Sequence, residues 1–435
     1  MGQHSARDFA TRSLSRRQFV GSAGLLGLIA AMPMPARAML AARYPHIQTE
    51  IDSYVAQRKV SGMMAAIGFG HGEPDYLTAG HLSLAKITPV DRDSLWRIYS
   101  MTKPVTGMAA MILIERGKLS LDQPLADILP KFANMQVQAE PDGSVTDLRP
   151  AKNPILIRNL LTHTAGLGYT IIQKGPIKKA YEDAGVVPGV ISRKSFPGLD
   201  RGASVSSLAE FADNLAGLPL IYEPGTHWSY SVGLDLMGRV IELVSGQPFD
   251  AFLQHNIFGP LDMTSTWFQV PESEMARLST NYFPLGDTLI PVDPGDDSVY
   301  FDKPAFPFGG AGLVSSARDY DRFLGMLTGM GQLHGTRIMA EETARLGMSN
   351  LLPEGVIIDS PWVVGNGFGA GGRVGLDQDG KLSGTFGWSG AAGTVAFVDT
   401  GRGMRAAAYT QYMPSDSYPF QRDFPRLVYA DLMGA

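Results

Sequence analysis

Ser100-Met101-Thr102-Lys103 puts a hydroxyl and an amine three positions apart, where an extended stretch, Leu95 to Tyr99, gives way to a helical pattern. Pro104 suits a first helical turn. Val105, Met108, Ala109, Ile112 and Leu113 then recur at helical spacing and end at Gly117. Residues i and i+3 share a helix face, so the Lys103 ammonium comes within reach of the Ser100 hydroxyl. A serine hydroxyl is a poor nucleophile until a neighbour takes its proton, and the positive end of a helix dipole favours the charge that results. The same serine could serve only as a helix N-cap, so the motif needs partners elsewhere in the chain. Ser83-Leu84-Ala85-Lys86 has the same spacing, but it lies in a polar stretch between two strand candidates, Asp75 to Gly80 and Leu95 to Tyr99.

Upstream of this motif, Ile47 to Arg58 reads as a helix. Met63 to Gly70 and Asp75 to Gly80 read as a hairpin turning at His71-Gly72-Glu73-Pro74. Downstream, Ile155 to Thr162, Ser206 to Ala216 and Tyr230 to Ser245 are helical by spacing, the last closed by Gly246. Residues 168–205 form a long, irregular Gly/Pro-rich passage and residues 268–310 a long Pro/Asp/Phe-rich one, both with the character of pocket walls. A further helix is expected from a cap at Ser315 or Ser316 to Leu327. Leu382 to Gly390, Thr394 to Asp399 and Arg405 to Tyr412 read as strands, and Phe420 to Met433 as a closing helix. Strands at both ends with helices between predict one α/β (α+β) layer built from both termini. In that partition residues 39–130 and 300–435 form an antiparallel sheet flanked by helices, and residues 131–300 a mostly helical region.

Composition bounds the function classes. The 435 residues are 44% hydrophobic and 18% charged, with a net charge of −5, ordinary for a globular enzyme. Residues 1–38 hold Arg7, Arg12, Arg16, Arg17 and Arg37 against the single acid Asp8, so the remainder is more acidic still. Such a surface suits neither nucleic acid nor an anionic membrane. Ser15-Arg16-Arg17-Gln18-Phe19-Val20 is a twin-arginine pattern, followed by an apolar run to Met34 and an A-x-A site at Ala36-Arg37-Ala38. A signal peptide over 1–38 and a periplasmic or secreted product are expected, with no membrane span in the mature chain. The absence of cysteine excludes a thiol nucleophile, disulfides and thiolate-bound metal.

Two other stretches carry chemistry. Tyr230-Ser231-Val232 opens a helix after Glu223-Pro224-Gly225-Thr226-His227-Trp228-Ser229. A tyrosine beside a lysine ammonium can act as general base and then as acid toward a leaving group; taken alone it is a packing residue. Gly387-Trp388-Ser389-Gly390-Ala391-Ala392-Gly393-Thr394 lies on a late strand, where small residues let backbone approach a ligand. The Ser100 and Ala391 amides are candidates for an oxyanion hole.

In the order Ser-x-x-Lys, Tyr-Ser-x, Trp-Ser-Gly, the chain resembles class C β-lactamases and the esterases built on their fold, the family VIII carboxylesterases. Flanking phrases match too: Trp96 to Pro104, Leu156 to Leu167, Glu223-Pro224-Gly225, Ile257 to Met263 and Gly309 to Ser316. The resemblance implies a β-lactamase/transpeptidase-like fold. It also implies Ser100 as nucleophile, Lys103 and Tyr230 as the proton-handling pair, and Trp388, Ser389, Gly390 and Ala391 as the oxyanion and substrate strand, with no metal or cofactor. The departures separate activities. The β-lactamases place Tyr-x-Asn where this chain has Tyr230-Ser231-Val232, and Lys-Thr-Gly where it has Trp388-Ser389-Gly390. Val232 cannot hydrogen-bond a substrate amide. Trp388 cannot offer a cation to a carboxylate, a loss of about 1.5–3 kcal/mol. A neutral ester therefore suits the site better than an anionic β-lactam, and family VIII esterases resemble this chain in the tryptophan.

Rival readings have less support. Gly202-Ala203-Ser204, Gly347-Met348-Ser349 and Gly387-Trp388-Ser389 each lack the last glycine of a G-x-S-x-G elbow. Composition leaves a His-dependent triad open, with eight histidines in the chain, but His163 and His227 are expected to satisfy local hydrogen bonds rather than to line the pocket. No H-E-x-x-H, P-loop or dinucleotide pattern occurs. The same site would also serve β-lactam or amide hydrolysis or acyl transfer to an alcohol or amine. A cell-wall-binding protein that kept the fold but lost the chemistry is the alternative of a different class.

Overall fold

The computed structural model describes residues 36–433 apart from 197, 200, 201 and 378. The twin-arginine pattern and the apolar run after it lie outside the described residues. Ala36-Arg37-Ala38 opens a helix, Ala36–Arg43, that leads into Pro45–Ala56.

Seven strands form an antiparallel sheet in the order Gly367–Phe368, Arg373–Leu376, Leu382–Ser389, Val395–Asp399, Met404–Tyr409, Gly62–Phe69, Asp75–Gly80. The two ends of the chain meet in its middle, where Met64 pairs with Tyr409 and Phe69 with Met404. Successive side chains on a strand point to opposite faces, and here both faces are covered. Met63, Ala65 and Ile67 pack with Ile47, Ile51, Phe420 and Phe424 of the terminal helices. Met64, Ala407 and Tyr409 pack on the other side with Ala317–Thr328 and Thr102–Glu115. Burial on both faces explains why Gly62–Phe69 reads as an unbroken apolar run.

The expected hairpin forms, with strands Gly62–Phe69 and Asp75–Gly80 paired. Phe420–Met433 is helical as expected. Leu95–Arg97 is a strand, but it joins a separate three-stranded sheet with Val314–Ser316 and Thr266–Trp267. Ser316 caps the helix Ala317–Thr328 through its side chain, which accepts from the Asp319 N–H. Gly246 ends the helix Gly233–Ser245 in the left-handed conformation with φ of 74°.

Residues 131–300 hold Ile157–Leu161, Gly175–Asp183, Leu208–Ala216, Gly233–Ser245 and Phe249–Leu253 as helices. They also hold two hairpins, Gln136–Gln138 with Leu148–Pro150 and Asn281–Leu285 with Thr288–Asp293. Both passages read from sequence as pocket walls contain regular structure: the helix Gly175–Asp183 in one and the second hairpin in the other. One apolar cluster runs from Met64 and Ala396 in the main sheet through Met108 to Leu160, Val240 and Phe258, so the helix Thr102–Glu115 lies at the centre of a shared core.

Candidate active site

Ser100 sits in a one-turn 3-10 helix, Tyr99–Met101, that feeds the helix Thr102–Glu115. The helix is preceded by Met101 and has no side-chain cap, so Ser100 does not spend its hydroxyl as an N-cap. Tyr99 holds a φ of 42°, a strained backbone for a bulky residue, and this turn directs the next side chain into the cleft. Arg97 fixes the approach to the turn. It is fully buried and reaches Asp293 at 2.5 Å, the Ser279 carbonyl at 2.5 Å and Ser298 Oγ at 3.1 Å, tying the strand before the serine to the 279–300 wall.

Lys103 is fully buried. Its Nζ lies 3.3 Å from Ser100 Oγ, donates to the Gly310 carbonyl at 2.7 Å, and stands 4.6 Å from the Tyr230 ring centroid and 5.5 Å from that of Tyr169. The structure thus brings serine, lysine and tyrosine together from two separate stretches of chain. The other Ser-x-x-Lys lies in a loop, where Lys86 pairs with Asp296 at the surface.

The Tyr230 phenol oxygen accepts a hydrogen bond from Trp388 Nε1–H at 3.1 Å. Tyr230 is the hub of an aromatic group, with ring centroids 5.3 Å to Tyr169, 5.5 Å to Trp362 and 4.7 Å to His163. His163 is buried beside it, with Nδ1 3.0 Å from Ser231 Oγ and within reach of the Ser231 N–H at 3.2 Å. Burial first, and then the Lys103 charge, hold its pKa well below the usual imidazole range. A neutral imidazole bonded in this way orients the Tyr230-Ser231 segment. His227 stacks on Tyr222 and bonds Thr226. His227 thus satisfies a local partner, whereas His163 does so through Nδ1 alone, its buried Nε2 finding no hydrogen-bond partner among the described residues. Val232 is fully buried.

The strand ending at Ser389 divides its residues by face. Trp388 lies over Tyr230, whereas Ser389 pairs with Val395 and points to the opposite face. Gly390 must be glycine, since a Cβ there would stand 2.4 Å from the Ile98 carbonyl. Ala391 and Ser100 line the same cavity. Among the described residues the Ala391 N–H donates to no acceptor, and an amide of that kind can receive an oxyanion. The cavity, about 160 Å³, is walled by Tyr169, Ile191, Phe268, Tyr300 and Phe308.

Residues 47–430 match the Beta-lactamase family. The chain belongs to that family. Protein Rv1367c of Mycobacterium tuberculosis is 35% identical over 328 residues, covering 72% of this chain and 77% of its own. Esterase EstB of Burkholderia gladioli is 31% identical over 303 residues, covering 66% of this chain and 70% of its own. Among solved structures, EstCE1, described as a hydrolase with promiscuous acyltransferase activity, superposes with a TM-score of 0.71 at 25% identity, covering 90% of this chain and 98% of that one. The fold is that of the β-lactamase-like serine hydrolases, a group in which this chain has both esterase and acyltransferase relatives.

Sequence reasoning missed three contributors. Gly310 lies in a phrase matched for its resemblance, but its role as carbonyl acceptor for Lys103 is visible only in space. Trp362 and Asp235 carry no motif. Asp235 is an acid in the first turn of Gly233–Ser245, a common place for one.

Proposed function

We propose that this protein cleaves carboxylic esters through an acyl-enzyme on Ser100. The observation that carries the reading is Trp388. An indole occupies the strand position where a β-lactamase presents a cation, and its N–H is spent on the Tyr230 oxygen. EstB, a relative at 31% identity, is an esterase. The mostly apolar cavity beginning at Ser100 and Ala391 suits an uncharged acyl or alcohol part.

In this mechanism Ser100 Oγ attacks the ester carbonyl while Lys103 and Tyr230 take its proton. The Ser100 and Ala391 amides receive the oxyanion. Tyr230 returns a proton to the leaving alcohol, and water then releases the acid. The Trp388 N–H steadies negative charge on the phenol oxygen whenever the proton is away. No step calls for a metal or cofactor. The twin-arginine pattern at Arg16-Arg17 supports a site of action in the periplasm or outside the cell.

A panel of p-nitrophenyl esters, nitrocefin and short amides tests the reading. Ester turnover should dominate; nitrocefin turnover well above it would reverse the assignment. An intact-mass adduct on Ser100 after fluorophosphonate treatment separates an enzyme from a binding protein of the same fold.

A further inference from the structure

Lys103 is a buried cation whose contacts are all uncharged: a hydroxyl, a carbonyl and two aromatic faces. Among the described residues it makes no ion pair. Such an ammonium is costly unless a counter-charge lies near. Asp235 supplies one from the next layer. It stands in the first turn of Gly233–Ser245, five residues after Tyr230, and is 1% exposed. Its Oδ1 accepts the Gly310 N–H at 2.8 Å, and the carbonyl of the same residue accepts Lys103 Nζ at 2.7 Å. One glycine therefore links carboxylate to ammonium. Among the described residues Asp235 Oδ2 has no hydrogen-bond partner, and a Cβ at position 310 would stand 2.5 Å from it. The chain passes between the two charges only because residue 310 has no side chain.

We propose that Asp235 is a positioning residue for the acyl-transfer chemistry: through Gly310 it holds the Lys103 amine aimed at Ser100 and answers the positive charge that this amine carries once it has taken a proton. This rests on the reading of Ser100 as nucleophile. The titratable groups around the pair are Lys103 on the nucleophile helix, His163 after the helix Ile157–Leu161, Tyr169 in the segment beyond it, and Tyr230 before the helix that carries Asp235. His163 is held neutral, so the negative charge answering Lys103 is that of Asp235. Burial pushes the Asp235 carboxyl up to about 6, with Lys103 the chief opposing influence. The carboxylate is thus ionised at neutral pH and loses its charge in mild acid, while the oxygen facing Gly310 stays in place.

The test measures the rate of fluorophosphonate labelling at Ser100 by intact mass, from about pH 5 to about pH 8, on the full chain and on Asp235→Asn. Asparagine keeps an oxygen for the Gly310 N–H and removes the charge. The wild type should show a break near the Asp235 titration. Asp235→Asn should lack it and label about tenfold more slowly at neutral pH, with KM for a p-nitrophenyl ester changed less than about twofold. Asp235→Ala, which also loses the acceptor, should be slower still; if it fails to fold, the asparagine comparison decides alone. An asparagine variant with the wild-type rate and the same break would overturn the role of Asp235 and leave Ser100 untouched. A wild type that never labels would overturn both.

Discussion

Trp388→Phe separates two things the indole does. The ring packs against Tyr230 and Phe368, with centroids at 5.7 and 5.2 Å, and its N–H donates to the Tyr230 oxygen at 3.1 Å. Phenylalanine keeps most of the aromatic surface and deletes the donor. If Tyr230 carries negative charge during the reaction, the lost bond is one to a charged group, worth about 1.5–3 kcal/mol. At about 1.4 kcal/mol per decade that is a fall of roughly 10- to 150-fold in kcat. The donor acts on the phenol rather than on substrate, so KM should move by less than about threefold. Trp362→Phe is the control, because its ring also meets Tyr230, at 5.5 Å, without a hydrogen bond to it. Steady-state kinetics on one p-nitrophenyl ester should show a kcat loss for Trp388→Phe that Trp362→Phe does not share. Equal kcat in the two variants would mean that the indole N–H contributes nothing to the proton transfers, and the base assignment of Tyr230 would lose its structural support.

Ser100→Ala and Lys103→Ala should each lower kcat/KM by at least about a thousandfold on the same ester; near-wild-type turnover in either would contradict the mechanism. Trp388→Lys should weaken ester turnover and raise nitrocefin turnover, since it restores a cation where a carboxylate would lie. Stability should depend on His163 in a defined direction. Its folded pKa is depressed, so the unfolded chain binds the extra proton. The stabilisation is complete above the unfolded value, about 6.5, and declines below it by about 1.4 kcal/mol per pH unit. Urea melts of wild type and His163→Gln at pH 7 and in mild acid would show whether the variant loses that slope. Gly107→Ala should destabilise by about 1–3 kcal/mol despite alanine's higher helix propensity, because a Cβ there would stand 2.0 Å from the Ala370 carbonyl; a raised melting temperature would show that the helix can move away from that strand end.

What was legible in the sequence was local or periodic. Ser100 and Lys103 meet because i and i+3 share a face, and that geometry needs no knowledge of the rest of the chain. The closing helix Phe420–Met433 and the hairpin before residue 80 announced themselves through period and turn chemistry. Tyr230 and Trp388 were found by motif order, and their hydrogen bond to one another could not be read from either stretch. The helix Gly175–Asp183 was hidden by the Gly and Pro residues around it, although Pro176 is a favourable first-turn residue. Asp235 was illegible for a deeper reason. An acid in a first helical turn is what solvated helices carry, and periodicity reports which face is apolar, not which charge lies behind that face. The spatial signal is the conjunction of an unpaired carboxylate oxygen, a buried lysine with only neutral contacts, and a residue without a side chain between them. Each of the three is unremarkable alone. Together they require that the charge of the lysine be answered from across Gly310, which is why a substitution that leaves every motif of the chain intact should still change how Ser100 reacts with pH.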